Sequence, residues 1–446
     1  MMGRKSLVAL AALLATIAMS AGPAGGATKA EFKTKIEFKL VTKVASPTAV
    51  ASPPGFKDLL FVTARHGKVR AIQGGRLLPR PVVDISKQVN HRWYEQGLLG
   101  IAFAPDFAKT GRYYLHYTAA NGDVKVVEYR VDPDKDPTAT LPASGRTIMR
   151  IPHVADLGNH NGGPLAFVGK YLYISIGDGN DPGDQQNLAQ NLESLRGKIL
   201  RIDPDPNETA GMSYTIPPDN PFVGKPGRDE IFAYGFRNAH SFDFYRPKGG
   251  ELQMMITDVG QSRVEEINYL PFKNVFGANF GWKMYEGLLP YDCGEQCPGG
   301  ITPTPVTPLV WPVFSYTHAK GCAIIGGPVV EDPALTKIDG RIIYGDFCQN
   351  RPRTVAPGYT WLKTDKALGS FMPPGKGKHP ALNGWGEDGW GRVYALSNFG
   401  EIYRLEQKVV RVGKPAKPGK PGKKPGKKKP GKKNSGKKDS GNSKQS

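Results

Sequence analysis

Four glycine-containing segments of the chain carry polar side chains that are able to do chemistry, at residues 95–100, 159–163, 234–238 and 258–268. The second holds His160, which can take a proton from a hydroxyl group, and the third holds Arg237, which can stabilise developing negative charge. The first supplies the carboxamide of Gln96, and the fourth is an acidic, carbonyl-rich turn suited to Ca²⁺. A lone histidine in a glycine-rich turn more often only hydrogen-bonds that turn. A role for His160 therefore requires a fold that brings the four segments together.

A loosely repeated pattern indicates that fold. An apolar strand, a turn, an aromatic-rich strand, a glycine and a further strand recur along the chain, most clearly at residues 384–405. Roughly six copies, about 40 to more than 60 residues apart, predict an all-β protein, a six-bladed β-propeller with long loops at one mouth. Loops at one mouth converge on the propeller axis, so residues far apart in sequence can line one pocket. Two stacked sandwiches are the alternative, and residues 187–195 make a short helix at most.

The N-terminal segment, residues 1–27, has the features of a secretory signal peptide. Arg4 and Lys5 precede an apolar run at residues 7–15, and small residues follow as far as Ala27. The run is too short to span a bilayer comfortably, and we expect cleavage between Ala21 and Ala27. The sequence therefore predicts an exported product, secreted or associated with the cell surface, with the propeller at residues 28–407.

The C-terminal segment, residues 408–446, is predicted to be a disordered basic tail rich in Lys, Pro and Gly. Residues 414–446 contain 13 Lys and one Asp, so this segment carries most of the formal net charge of +20. Such a tail could bind an anionic cell-wall or surface polymer. A solubilising spacer is an equally good interpretation.

Four cysteines, at positions 293, 297, 322 and 348, allow three disulfide pairings. Proximity in sequence favours Cys293–Cys297 and Cys322–Cys348, which an exported protein would keep oxidised. A zinc site built from all four thiolates is the competing interpretation, but the spacing lacks paired C-x-x-C knuckles.

Several segments, in this order along the chain, resemble the soluble glucose/sorbosone dehydrogenase family, which includes the aldose sugar dehydrogenases. They read E-Q-G-L-L-G-I-A-F-x-P-D-F, N-H-x-G-G-x-L-x-F, G-K-I-L-R-I-D, A-Y-G-F-R-N, D-V-G-Q-x-R-x-E-E-I-N and N-F-G-W, and the likeness extends from about residue 53 to residue 405. The resemblance implies a six-bladed β-propeller that binds pyrroloquinoline quinone (PQQ) and Ca²⁺ and oxidises the anomeric carbon of sugars. Relatives of the hedgehog-interacting type use the same fold as a binding module.

The resemblance also implies roles for individual residues. His160 matches the base that deprotonates the anomeric hydroxyl, and Arg237 matches the arginine that polarises the reacting quinone oxygen. Asn238 and Gln96 match residues that contact the quinone, and the backbone carbonyls of Gly260 and Gln261 match those that bind the Ca²⁺ of the cofactor. Glu266 and the backbone oxygen of Phe280 match the ligands of a second, structural Ca²⁺.

At three positions the chain departs from the pattern of the family. Where an Arg-x-Arg pair serves the carboxylates of PQQ, this chain has Lys376 and Lys378, which supply charge without the planar fork of arginine. Glu331 stands close to where the family has a basic residue, and Asn159 stands where some members have an aspartate before the histidine.

The sequence thus predicts an exported aldose dehydrogenase that acts on aldoses or oligosaccharides and passes hydride to PQQ, with an undefined electron acceptor. The alternative is a non-catalytic, calcium-stabilised propeller that binds glycan or protein at the cell surface, with a degenerate PQQ site. A calcium-dependent lactonase or esterase is less favoured, because the motifs do not match that group.

Overall fold

The computed structural model of the protein describes residues 31–152, 158–179, 183–207, 209, 211–291, 308–358, 361–369 and 382–412. The predicted signal segment, Cys293, Cys297, Lys376, Lys378 and the basic residues after 412 lie outside the described residues. Residues 34–409 form one compact unit. A second unit consists of residues 1–33 and 410–446, of which 31–33 and 410–412 are described, as strand residues.

Strands account for nearly all regular structure in the described residues. Before residue 180 they are β1 (Glu31–Lys43), β2 (Pro47–Ala51), β3 (Leu59–Ala64), β4 (Lys68–Gln73), β5 (Arg76–Leu77), β6 (Val83–Asp84), β7 (Leu98–Phe103), β8 (Arg112–Thr118), β9 (Val124–Asp132), β10 (Asp136–Thr140), β11 (Arg146–Ile151), β12 (Leu165–Val168) and β13 (Tyr171–Ile176). After it they are β14 (Lys198–Ile202), β15 (Ile231–Tyr234), β16 (Ala239–Tyr245), β17 (Gln253–Asp258), β18 (Val264–Pro271), β19 (Tyr285–Glu286), β20 (Leu289–Pro290), β21 (Phe314–Thr317), β22 (Ile324–Val329), β23 (Ile342–Asp346), β24 (Gln349–Val355), β25 (Lys366–Ala367), β26 (Leu382–Glu387), β27 (Val393–Ser397) and β28 (Glu401–Val412). The last strand thus continues beyond the predicted domain end at residue 407.

Helices in the described residues are single turns. They are α1 (Phe107–Thr110), α2 (Trp361–Thr364) and two 3₁₀ segments, Ser86–Gln88 and Phe272–Asn274. None of the described helices is long and apolar enough to cross a membrane. Residues 187–195 form hydrogen-bonded turns rather than a helix.

The strands form successive antiparallel sheets that follow the order of the chain. They are β10-β9-β8-β7 with β11 on β9, then β12-β13-β14-β15, β16-β17-β18-β21 and β22-β23-β24-β25, a small β19-β20 pair, and a nine-stranded sheet β1-β28-β27-β26-β2-β3-β4-β5 with β6 on β4. In the last sheet β2 pairs in parallel with β26, with Val50 opposite Gly386. A Cβ on Gly386 would lie 2.0 Å from the Val50 carbonyl oxygen, so this junction of the chain's early and late strands requires glycine.

The hydrophobic core is divided among the spaces between neighbouring sheets. Strand β3 shows the reason, because side chains alternate between the two faces of a strand. Leu59 and Phe61 pack with the β7–β9 sheet, whereas Leu60 and Val62 pack with strands β27 and β28. Both faces are apolar, so each sheet is buried only between two others. The unit formed by residues 34–409 is therefore all-β and propeller-like, as the sequence predicts.

Strands β2, β7, β12, β16, β22 and β26 all contribute to the wall of a cavity of about 270 Å³. Three of the predicted site residues come within five residues before the start of one of these strands. Gln96 precedes β7, His160 precedes β12, and Asn238 precedes β16. The fold therefore gathers residues from separate sheets at one end of this set of strands.

A disulfide joins Cys322 to Cys348 across 26 residues, with the Cα atoms 5.6 Å apart. The predicted Cys322–Cys348 pairing is therefore confirmed. The side chain of Asp346 accepts hydrogen bonds from the backbone amides of both cysteines, at 2.9 and 2.8 Å. Cys322, Asp346 and Cys348 lie close enough together for a metal site. The two cysteine sulfur atoms are joined in the disulfide, so they are not thiolate ligands.

Candidate active site

His160 is buried, with 2% of its surface exposed. Its Nδ1 lies 2.6 Å from Oδ1 of Asp178, a fully buried residue shortly after β13. The other carboxylate oxygen accepts a hydrogen bond from the indole Nε1 of Trp282 at 2.8 Å. A carboxylate accepts hydrogen bonds, so Nδ1 is the donor in this contact and Nε2 is the ring nitrogen left to act as a base. This is the arrangement that a histidine base requires.

The orienting carboxylate comes from an unexpected position. The residue directly before the histidine, where some family members have an aspartate, is Asn159 in this chain. Asp178 supplies the carboxylate instead, from the Gly-Asp-Gly turn 18 residues further along the chain. The short strands β12 and β13 pair antiparallel between the two residues and hold both side chains at the same end of their sheet.

The backbone of His160 has φ of +54°, in the left-handed region that non-glycine residues seldom occupy. Its amide donates to Oε2 of Glu95 at 2.7 Å, and the same oxygen lies 3.4 Å from Nδ2 of Asn238. Glu95 thus ties the histidine loop to the segment before β16. This role was not predicted from the sequence. The residue that Glu95 contacts, His160, lies 65 positions further along the chain.

Arg237 and Asn238 are held by Asp258, at the end of β17. Their amides donate to its two carboxylate oxygens at 2.9 and 2.7 Å. Burial and the charge of Asp178 raise the pKa of Asp258, while the two amides and the Arg237 guanidinium act in the opposite direction. The guanidinium donates through Nε to Oε1 of Gln261 at 2.9 Å and through Nη1 to the carbonyl of Val259 at 3.1 Å.

A further contact connects His160 to the Arg237 segment. The amide of Asp178 donates to the carbonyl of Arg237 at 2.8 Å, so the turn that orients His160 is bonded to the arginine segment. The guanidinium in turn holds the 259–261 turn, which contains the Gly260 and Gln261 carbonyls. The guanidinium carbon lies 6.0 Å from the ring centroid of Trp282, whose indole donates to Asp178, so the imidazole, the guanidinium and the turn belong to one connected set of contacts.

Gln96 is placed differently from the other predicted residues. It is fully buried, its Oε1 accepts from the amide of Trp93 at 3.3 Å, and its Nε2 has no hydrogen-bond partner among the described residues. A donor without a partner in a buried position suits a ligand that brings an acceptor. The unpaired Nε2 of Gln96 is therefore a suitable donor to an oxygen of a bound cofactor.

Glu331 lies away from this site. It follows β22, whose other end begins at Ile324, and the amide of Ile324 donates to Glu265 together with the amide of Gly260. Strand β22 ends at Val329, so Glu331 lies just beyond the opposite end of that strand. Burial together with the charges of Asp243 and Glu331 raises the pKa of Glu387. Glu331 therefore does not oppose an anionic ligand beside Arg237.

A second, smaller cavity of about 10 Å³ lies beside Arg237 and is lined by Asp258, Glu266, Phe280 and Glu286 among others. That volume is close to what a single water-sized particle needs. Burial and the charge of Asp258 raise the pKa of Glu266, because several carboxylates share a space with little solvent. Hard oxygen donors around an ion-sized cavity fit Ca²⁺, and Glu266 and Phe280 are the predicted ligands.

Comparison with known proteins agrees with these observations. The model of the family described as Glucose / Sorbosone dehydrogenase matches residues 44–352. The aldose sugar dehydrogenase YliI of Escherichia coli K12 is 31% identical over 344 residues, covering 70% of this chain and 85% of that protein. The HIPL1 protein of Arabidopsis thaliana is 29% identical over 392 residues, which are 73% of this chain, and the chain spans only about half (55%) of that longer relative.

A solved structure supports the fold. The PQQ-bound form of aldose sugar dehydrogenase from Streptomyces coelicolor superposes with a TM-score of 0.60 at 24% identity, covering 86% of this chain and 100% of that one. The chain therefore has the same fold as the Streptomyces coelicolor enzyme.

Proposed function

The chain belongs to the glucose/sorbosone dehydrogenase family, and from that membership we propose that it is an aldose dehydrogenase that oxidises the anomeric carbon of its sugar with PQQ as hydride acceptor. The observation that carries the proposal is the buried His160–Asp178 pair, bonded directly to the segment that presents Arg237. A base held in one tautomer next to a cation that can stabilise negative charge is the set that alcohol oxidation needs.

Each residue has a task in this scheme. Nε2 of His160 takes the proton of the anomeric hydroxyl, while Asp178 stabilises the imidazolium that forms. PQQ, when bound, supplies the two-electron acceptor chemistry that the side chains lack. Arg237 keeps a positive charge at the place where negative charge develops. The residues that would hold the cofactor and its Ca²⁺ are Gln96, Asn238, Lys376, Lys378 and the carbonyls of Gly260 and Gln261.

A six-bladed propeller is the architecture that we propose for residues 28–407. The nine-stranded sheet divides into β26-β27-β28-β1 and β2-β3-β4-β5, with β6 added on β4, and the two groups join where β2 meets β26. Counted as two blades and added to the other sheets of four or more strands, it gives six. Strand β1 from the N-terminal side would then complete the last blade and close the ring.

The flanking segments complete the proposal. Residues 1–27 would be removed on export, which places the enzyme outside the cell or at its surface. Residues 408–446 would extend from the propeller as a basic tail that binds an anionic polymer. The substrate is an aldose or an oligosaccharide, because the catalytic groups act only on the anomeric end.

A non-catalytic propeller is the second candidate, favoured by the similarity to the plant HIPL1 protein over 73% of this chain and by the lysines where the family has an arginine pair. In that case the propeller would bind glycan or protein, and the buried carboxylates would serve the fold alone.

Reconstitution decides between the two. Purified protein is supplied with PQQ and Ca²⁺, and dye reduction is measured with a panel of aldoses beside the PQQ absorbance spectrum. We expect reduction with at least one aldose and its loss in His160→Gln, whereas His91→Gln, on an exposed loop, keeps it. No dye reduction and no change of the PQQ spectrum would reject the dehydrogenase and leave the binding module.

A further inference from the structure

Glu286, on the short strand β19, is 3% exposed and uses one carboxylate oxygen for three consecutive backbone amides. Oε1 accepts from Ser262 at 2.8 Å, Arg263 at 2.7 Å and Val264 at 3.1 Å. This set of contacts fixes the backbone directly after Gln261. Glu286 thus holds one side of the turn whose other side is held by Arg237.

The second oxygen of Glu286 has a different environment. Oε2 is buried and has no hydrogen-bond partner among the described residues. Glu286 lines the cavity of about 10 Å³, together with Glu266 and Phe280. A buried carboxylate oxygen without a partner is unfavourable unless a donor or a cation satisfies it.

Neighbouring groups do not satisfy this oxygen. The guanidinium of Arg237, which also lines the cavity, donates to Gln261 and Val259. Both oxygens of Asp258 accept the amides of Arg237 and Asn238. Glu266 accepts from Asn268 at 3.0 Å and from the amide of Gly287, and a carboxylate with two such donors keeps lone pairs for a cation. Glu266, Glu286 and Phe280 all line this ion-sized cavity, and carboxylate and carbonyl oxygens are the donors that one hard cation takes.

We propose that Glu286 is a shared ligand, binding Ca²⁺ through Oε2 together with Glu266 and the Phe280 carbonyl while Oε1 holds residues 262–264. The cation then fixes the turn that carries the Gly260 and Gln261 carbonyls, and through it the side chain of Arg237. Metal at this seat thereby couples to the geometry of the neighbouring active site. The inference rests on the second, structural Ca²⁺ that the resemblance to the family implies at Glu266 and Phe280, and it adds Glu286 as a ligand and the coupling to the active site.

The test uses the full-length protein, stripped with a chelator, without PQQ and without sugar. Terbium luminescence is excited through tryptophan, because Trp282 lines the same cavity, and Ca²⁺ is measured by displacement of terbium and by its effect on the melting temperature. Hydrogen exchange of residues 259–264 is followed with and without Ca²⁺. We expect Ca²⁺ to raise the melting temperature and to slow exchange in this turn.

Glu286→Gln keeps an oxygen for the three amides but removes the charge, so Ca²⁺ affinity should fall at least about tenfold and the exchange protection should disappear. The matched control is Glu230→Gln, a buried glutamate that pairs with Arg228 away from the cavity, which should bind Ca²⁺ as the unchanged protein does. Wild-type affinity in Glu286→Gln overturns the proposal. If that variant does not fold, exchange in the unchanged protein decides, and an absence of Ca²⁺ protection at residues 262–264 overturns it.

These measurements are independent of the proposed catalysis. Ca²⁺ binding that depends on Glu286, in a protein that never reduces the dye, would reject the dehydrogenase and keep this inference. Dye reduction in a protein whose Ca²⁺ binding does not depend on Glu286 would do the reverse.

Discussion

Replacing Asp178 by asparagine should abolish most of the catalytic activity while leaving the fold intact. The asparagine oxygen must face Trp282, because the indole Nε1 donates to Oδ2 of Asp178 at 2.8 Å and needs an acceptor. The asparagine NH₂ then faces Nδ1 of His160, which lay 2.6 Å from the carboxylate. Nδ1 has to become the acceptor, so the proton moves to Nε2 and the base is lost.

The magnitude follows from what the base contributes. A positioned general base accelerates proton transfer by about 10²- to 10⁴-fold, so kcat should fall by that factor, equivalent to about 3–5 kcal/mol of barrier. KM should change little, because Asp178 is fully buried and does not line a substrate surface. Stability should hold, because the substitution removes a negative charge that raises the pKa of Asp184 and Asp258.

The assay is steady-state dye reduction with the best aldose of the panel, accompanied by a PQQ titration that confirms equal cofactor loading. Asp84→Asn, at an exposed ion pair with Lys68, serves as the matched control. A kcat for Asp178→Asn within about threefold of the unchanged enzyme, at full PQQ loading, would refute the assignment of His160 as an oriented base.

Three further outcomes test the surroundings of the site. Glu95→Ala leaves the buried His160 amide, at φ of +54°, without its acceptor, so the free energy of unfolding should fall by about 1–3 kcal/mol. The same variant should lower kcat by a larger factor than it changes KM. Glu95→Gln keeps an acceptor and should return both the stability and kcat to those of the unchanged protein. Burial lowers the pKa of His116 to about 4 from its ordinary 6.5. The contribution of the neutral His116 to stability is therefore complete above pH 6.5 and is lost as the pH falls towards 4, by up to about 3 kcal/mol. In His116→Phe the urea midpoint should depend less steeply on pH. Replacing Cys322 and Cys348 by serine opens a bridge across 26 residues and should cost about 3 kcal/mol in urea unfolding, and equal midpoints for the two proteins would contradict this.

Local sequence signals were sufficient for the all-β, propeller-like class of the fold, while the predicted number of six blades stays a prediction. Strands such as β3, apolar on both faces, recur along the chain, and apolar strands of that kind have to be buried between two sheets. The same repetition predicted that the loops before β7, β12 and β16 share one end. The pairing of Cys322 with Cys348 followed from their separation alone.

The contacts within the site were beyond the reach of the sequence. Glu95 meets His160 across 65 residues and Asn238 across 143, and no local pattern marks such a pair. Asp178 stood in a conspicuous Gly-Asp-Gly turn, yet its partner depends on how β12 and β13 place their ends. Glu286 has no motif at all, because its role follows from the amides of a turn in another part of the chain.

The buried carboxylates of this site separate into two kinds. Asp258 and Glu286 accept backbone amides, and a propeller that only binds a partner needs them as much as an enzyme does. Their presence therefore does not distinguish the two candidate functions. Asp178 differs, because one of its oxygens contacts an imidazole nitrogen. A neutral hydrogen-bond acceptor at this position would serve the fold equally well, whereas a base requires the carboxylate to fix its tautomer. The proposed dehydrogenase and the binding module therefore differ in what they require of the His160–Asp178 contact, and Asp178→Asn is the variant that separates them in experiment.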